Sequence, residues 1–160
     1  MEIDVIDGFL PEDQFNHIQE LLMGSWFPWY YNKSIIKGEY SRFQFTHIFY
    51  KEKFEPSQYL PLFDYTQRIL GVEKLFKIKS NLMVKTLSSE NTGFHIDGFI
   101  GARKTALLYI NTNDGGTKFH NHDIIKSVAN RMVIFDSNLE HAGITCTDQN
   151  TRVVVNFNYA

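Results

Sequence analysis

From about residue 73 to its end, the chain is a succession of short strand-like runs broken by turn-forming clusters, and this narrows its fold more than anything else. Runs read near 76–86, 93–97, 104–111, 116–120, 123–128, 132–136, 140–146 and 151–159. Between them lie Ser88-Ser89-Glu90-Asn91, Asn113-Asp114-Gly115-Gly116, Ala129-Asn130, Ser137-Asn138 and Asp148-Gln149-Asn150. These are residue types that close turns through positive φ or through side-chain bonds to their own backbone. About eight such strands after two helices predict a mainly β fold, a double-sheet jelly roll with the helices packed on one outer face.

The first part of the chain reads as a supporting layer. Ile3 and Val5 alternate like a short edge strand. Pro11 is placed to open a helix, with Glu12 and Asp13 in its first turn, Phe15, Ile18, Leu21 and Leu22 at helical spacing, and Gly24 closing it. Trp26-Phe27-Pro28-Trp29-Tyr30-Tyr31 reads as a loop covering the core, or else as a wall of a ligand entrance. Residues 32–42 read as a mobile loop, and Phe43, Phe45 and 48–50 as strand. Pro61 is placed to open a second helix that buries Phe63, Tyr65, Thr66, Ile69 and Leu70 and ends at Gly71. With no linker signature, residues 1–160 are expected to form a single domain, 1–72 supporting and 73–160 carrying the core.

Composition excludes more than it identifies. The net charge of −2 is spread along 160 residues, which gives no basic footprint for nucleic acid and no membrane anchor. Cys146 is the single cysteine, so no intramolecular disulfide forms and a thiolate-built zinc site is ruled out. No apolar run approaches the ~20 residues that span a bilayer, and Met1-Glu2-Ile3-Asp4 is not the start of a signal peptide. The expected location is cytoplasmic.

Chemistry concentrates in His95-Ile96-Asp97, His141 and Arg152. Side chains two apart on a strand share a face, so His95 and Asp97 reach one point while Ile96 turns away. With His141 they make two imidazoles and one carboxylate, a donor set suited to Fe(II) with positions left open. If Asp148-Gln149 closes a hairpin of the last two strands, His141 lies opposite Asn156 and Gly143 opposite Val154. His141 and Arg152 then share a face, roughly 13 Å apart at ~3.3 Å per residue. Arg152 opens a strand that otherwise reads Val153-Val154-Val155. A cation turned inward there needs a carboxylate partner, from the protein or a ligand. Tyr109 shares a face with Thr105, Leu107 and Asn111 and is placed to add a hydroxyl to that carboxylate.

These residues carry a resemblance. Gly93-Phe94-His95-Ile96-Asp97, Thr105–Asn111, Gly115-Gly116-Thr117-Lys118-Phe119, Asn130–Phe135, Glu140-His141-Ala142-Gly143 and Thr151-Arg152, in that order and spacing, resemble the core of the Fe(II)/2-oxoglutarate-dependent dioxygenases in their prolyl-4-hydroxylase-like branch. Ile6-Asp7-Gly8-Phe9-Leu10-Pro11 resembles the start of short stand-alone members, some of them phage-encoded, for which the location would be the host cytoplasm. The resemblance implies a double-stranded β-helix in which His95, Asp97 and His141 hold Fe(II). It implies that Arg152, with Tyr109 and Asn156, binds the distal carboxylate of 2-oxoglutarate. It also implies dioxygen as co-substrate, hydroxylation of an unactivated C–H with release of succinate and CO2, and stimulation by ascorbate. Where many relatives carry Arg-x-Ser, this chain has Val154, so one hydroxyl contact is missing.

Two other readings stand beside it. A cupin-like metalloenzyme would use His120 and His122; a non-catalytic jelly-roll module would use the aromatic block as a partner surface. The substrate, a small molecule or a peptidyl or amino-acid group, is expected to meet the loops 28–44 and 87–103, where Lys37, Tyr40, Arg42, Phe99 and Arg103 lie.

Overall fold

The computed structural model describes residues 2–36 and 42–160. In chain order the elements are β1 (Asp4–Ile6), α1 (Glu12–Met23), β2 (Tyr30–Asn32), β3 (Gln44–Lys51), a 3-10 turn (Leu60–Phe63) running into α2 (Asp64–Leu70), and β4 (Leu75–Val84). They continue with β5 (Lys104–Tyr109), β6 (Gly116–Phe119), β7 (Ile125–Lys126), β8 (Met132–Asp136), β9 (His141–Ile144) and β10 (Thr151–Tyr159). The larger sheet has the order β1-β8-β5-β10-β4-β3-β2 and the smaller β7-β6-β9, every pairing antiparallel. Three strands of the N-terminal half thus complete the larger sheet.

The alternation of β10 explains the layering. Val153, Val155 and Phe157 point to one side and join Phe15, Ile18 and Leu22 of α1, Phe63 before α2, and Ile78 of β4 in the main apolar core. Arg152, Val154, Asn156 and Asn158 point to the other side, toward the smaller sheet. There Val154 packs with Leu107, Tyr109, Phe119, Val133 and Phe135. A strand buried on both faces takes the centre of a sheet, and β10 is bonded on both edges, to β4 and to β5.

That placement overturns the expected hairpin. β9 pairs with β6 in the smaller sheet, so His141 and Arg152 come from opposite sheets and not from neighbouring strands. The connection between them crosses from one sheet to the other and is pinned by Thr145 N to Glu90 O and by Thr86 N to Cys146 O, both 3.0 Å. The face assignment survives because alternation is local, while the strand partner is not. The run 93–97 is also not a full strand: only His95 pairs, with His141, and Gly98 follows at φ +67°.

Smaller departures have local causes. Pro11 occupies the N-cap rather than the first helical position. Ile69 is 43% exposed while Thr66 is buried, because α2 is short and presents one narrow stripe. Of the aromatic block, Phe27 is buried, Trp29 packs against the main core, and Trp26, Tyr30 and Tyr31 are exposed. Among the described residues no helix is long and apolar enough to cross a membrane.

His47 gives the fold an acid sensitivity. Its ring lies 4.7 Å from those of Phe27 and Phe49, with Nδ1 2.8 Å from Pro28 O and Nε2 2.7 Å from Ser57 Oγ. Burial pushes the imidazole below its ordinary 6.5, and the bond to Pro28 opposes this only in part. As pH falls below that value the unfolded chain takes up the proton first, so stability present above it is lost. The melting temperature is expected to drop between pH 7.5 and 5.5, and to drop less in His47→Gln.

Candidate metal centre

The two imidazoles meet because their backbones do. His95 N donates to His141 O and His141 N to His95 O, each 3.0 Å, a closely bonded antiparallel pair. Their rings lie 4.7 Å apart. Ile96 turns out, 48% exposed, and the Asp97 carboxylate swings back beneath them. Oδ1 of Asp97 is 3.9 Å from His95 Nε2 and 4.0 Å from His141 Nε2. One ligand atom from each of the three lies within 4.8 Å of the others, and among the described residues no other group of three His, Cys, Asp or Glu is so placed.

Each ligand is oriented by its other atom. His141 Nδ1 is 3.1 Å from Leu139 O and His95 Nδ1 is 3.3 Å from Gly93 O. Donation to those carbonyls leaves each Nε2 with a free lone pair toward the centre. Oδ2 of Asp97 accepts from Asn156 Nδ2 at 3.0 Å, Asn158 Nδ2 at 2.9 Å and Thr105 Oγ1 at 3.2 Å. Burial alone would raise this carboxyl; His141, the two asparagine amides and Lys77 together hold it down to about 2. Burial pushes His141 below its ordinary range. At neutral pH the set is thus a carboxylate with at least one neutral imidazole, the protonation state a divalent cation needs. Because Asn158 reaches the centre only through Asp97 and Thr105, Asn158→Leu is expected to weaken binding of a divalent cation by about 10- to 100-fold while leaving the His95–His141 pairing intact, as a metal titration would measure.

Beside this centre a cavity runs between the sheets, lined by His95, His141, Thr117, Gly143, Asn156 and, at its end, Arg152, with Leu107, Val154, Met83 and Ile35 as apolar walls. Arg152 is 2% exposed and has no acidic partner among the described residues; its Nε has no hydrogen bond at all. Its Nη2 is 3.4 Å from Thr117 Oγ1 and its guanidinium carbon is 5.5 Å from the Tyr109 ring centre. Burial pushes the guanidinium below its ordinary range. Tyr109 donates its hydroxyl to Thr117 Oγ1 at 2.7 Å, so Thr117 is the hydroxyl that faces the cavity. Gly143 keeps the floor open: a Cβ there would meet Thr92 Oγ1 at 3.1 Å.

The other sequence candidates scatter. Asn156 lines the cavity but spends its amide nitrogen on Asp97; its Oδ1 is buried without a partner. Phe99 lies over the Lys77 ammonium, 4.8 Å from it. Arg103 is exposed and outside the cavity lining. Arg42 pairs with Glu90 at 2.5 Å. Lys37 and Tyr40 lie outside the described residues. His120 pairs with Glu140 at 3.1 Å and stacks on Phe94 at 4.0 Å, and among the described residues no third ligand joins them. None of the aromatic block lines the cavity. Sequence reasoning missed Asn158, Thr105 and Thr117. The signal for Asn158 was present: a polar residue within a strand buried on both faces needs a partner.

No family model matches the chain, and no curated protein matches it. Solved structures do. A prolyl-4-hydroxylase from Pseudomonas putida superposes with TM-score 0.65 at 16% identity, over 98% of this chain and 91% of the hydroxylase. An oxidoreductase of the 2OG-Fe(II) oxygenase family from Burkholderia pseudomallei gives 0.69 at 10%, over 99% and 84%. The epimerase SnoN, in complex with Fe3+, alpha-ketoglutarate and nogalamycin RO, gives 0.63 at 12%, over 98% and 78%. The chain therefore has the jelly-roll fold of the prolyl-4-hydroxylases and 2OG-Fe(II) oxygenases.

Proposed function

We propose that the protein is an Fe(II)- and 2-oxoglutarate-dependent dioxygenase that hydroxylates an unactivated C–H of a peptidyl or amino-acid substrate. The observation that carries this reading is Arg152. A cation 2% exposed, with no acid beside it among the described residues and a bondless Nε, opens on the cavity that His95 and His141 also line, next to the Asp97 carboxylate. A buried guanidinium without a partner costs several kcal/mol and persists where an anionic ligand completes it. A diacid that reaches the triad with one end and Arg152 with the other meets both demands.

The donor set fits the metal. Imidazole and carboxylate suit ferrous iron, and three protein ligands leave positions open. Bound iron and 2-oxoglutarate supply the oxidising chemistry, coupling decarboxylation to succinate with insertion of oxygen into a C–H. The chain's own residues do the rest. Asn156, Asn158 and Thr105 hold Oδ2 of Asp97, so Oδ1 is presented beside the imidazoles. The Thr117 hydroxyl, oriented by Tyr109, stands next to the guanidinium and takes the place of the hydroxyl that Val154 lacks. Leu107, Met83 and Val154 keep water from the channel between them. An intact carboxylate at 97 favours hydroxylation over halide transfer.

The test is aerobic incubation with Fe(II) and 2-oxoglutarate. Succinate is expected to accumulate only when both are present, and an anaerobic mixture of the two with the protein is expected to show a visible charge-transfer band. Absence of both band and succinate would overturn the reading.

A further inference from the structure

Strand β4 carries a second charged feature on the same inner face. Asn81 and Met83 line the cavity, and by alternation Lys79 and Lys77 follow them toward the open end of the barrel. In register, Lys79 sits directly opposite Asn156 and Lys77 opposite Asn158, the two residues that grip Asp97. On the other side Lys77 pairs with Lys51 of β3, and Lys79 with Ile48, which is 46% exposed. The three lysines form a half-buried ledge, one strand away from the asparagines that grip Asp97. Phe99, from the segment after Asp97, closes over Lys77.

Among the described residues no acid forms an ion pair with Lys51, Lys77 or Lys79; the adjacent Glu52 is taken by Lys74 at 3.4 Å. Like charges on neighbouring strand positions repel. The acid that acts on Lys77 and Lys79 among the described residues is Asp97, which the proposed centre requires. On the function proposed above, a dipositive ion and Arg152 are balanced by Asp97 and the dianion of 2-oxoglutarate. The ledge then remains as uncompensated positive charge facing the place where substrate must lie.

We infer that the Lys77–Lys79 ledge, with Lys51 at its edge, is a substrate subsite that receives an oxyanion, a carboxylate or phosphate borne by the molecule to be oxidised. Lysine suits this task because its ammonium is a mobile point charge that tolerates either group. The subsite selects for charge beside the reacting carbon and orients that carbon toward the iron.

This inference rests on the proposed function, and calorimetry separates the two. Inorganic phosphate and N-acetylglutamate, with N-acetylglutamine as the neutral control, are titrated into the protein with and without anaerobic Fe(II) and 2-oxoglutarate. At least one anion is expected to bind one-to-one, the control not to bind, and Lys77→Met/Lys79→Met to weaken the anion at least tenfold. Affinity for 2-oxoglutarate in the single variant Lys79→Met should stay within about twofold, and Lys77→Arg/Lys79→Arg should restore anion binding. Phosphate binding alone, or N-acetylglutamate alone, identifies which oxyanion the ledge takes. Binding of neither anion, or equal binding in the methionine variant, overturns the subsite; so does a tenfold loss of 2-oxoglutarate affinity, which would make the ledge part of the co-substrate site. Anion binding without any Fe(II)–2-oxoglutarate band would overturn the proposed function and leave the ledge standing.

Discussion

Arg152→Met is expected to make the ligand-free protein more stable while destroying its response to 2-oxoglutarate. The two effects share one cause. The guanidinium is buried at the end of the cavity, Nε is unbonded and the nearest hydroxyl contact is 3.4 Å. Methionine fills similar volume and needs no partner. Replacing buried charge by a well-packed apolar group is often stabilising by about 1–4 kcal/mol, so the melting temperature should rise by about 3 °C or more for a chain of this size. The co-substrate, by contrast, loses a buried charge-assisted pair. Such losses cost about 2–5 kcal/mol, which raises the 2-oxoglutarate dissociation constant about 30-fold or more. Thermal melting and a 2-oxoglutarate titration of the Fe(II) protein read the two effects separately. A fall in both stability and affinity would mean that Arg152 is a structural residue and that its burial reflects packing.

Asp97→Asn is expected to abolish succinate formation with little loss of fold. An asparagine carbonyl can accept the same bonds from Asn156, Asn158 and Thr105 that Oδ2 accepts now. Its amide nitrogen then faces the two imidazoles and has no lone pair for a cation. Fe(II) affinity should fall by more than about 100-fold, beyond the 10- to 100-fold loss that follows removal of a supporting residue. Asp97→Ala should lose the metal as well, but it strands the buried Asn156 amide at about 1–3 kcal/mol and leaves that of Asn158 only its bond to Thr105. Comparing the two variants by melting and by metal titration divides the carboxylate's chemical role from its structural one. Retention of Fe(II) binding in either variant would remove Asp97 from the donor set.

The convergence of His95 and Asp97 could be read in advance because its signals are local. His95 and Asp97 lie two apart, so a short extended segment suffices to turn both inward even though only His95 is paired. Arg152 announced itself by contrast with the valines that follow it. The helices were legible from spacing, their starts displaced where Pro11 caps rather than begins α1 and where Pro61 opens a 3-10 turn ahead of α2. What escaped was whatever depends on neighbours across the molecule. The resemblance implied Asn156 for the co-substrate pocket, and it does line the cavity; what could not be foreseen is that its amide nitrogen grips Asp97, together with that of Asn158. The expectation for Tyr109 did not include Thr117, whose hydroxyl accepts from that of Tyr109 and which lines the cavity. The lysine ledge was invisible because Lys77 and Lys79 read in sequence as the polar face of an ordinary strand.

By itself, then, the sequence determined the donor types, the side of each strand on which they lie and the presence of a buried cation, all consequences of a two-residue period that each strand carries internally. Only the tertiary structure decided that β9 and β10 face each other from opposite sheets, that Asp97 is gripped by two asparagines of β10, and that lysines of β4 stand beside it. Strand partners are chosen by contacts far apart in the chain, through which burial of both faces of β10 selects the centre of the larger sheet, and no local pattern encodes that choice.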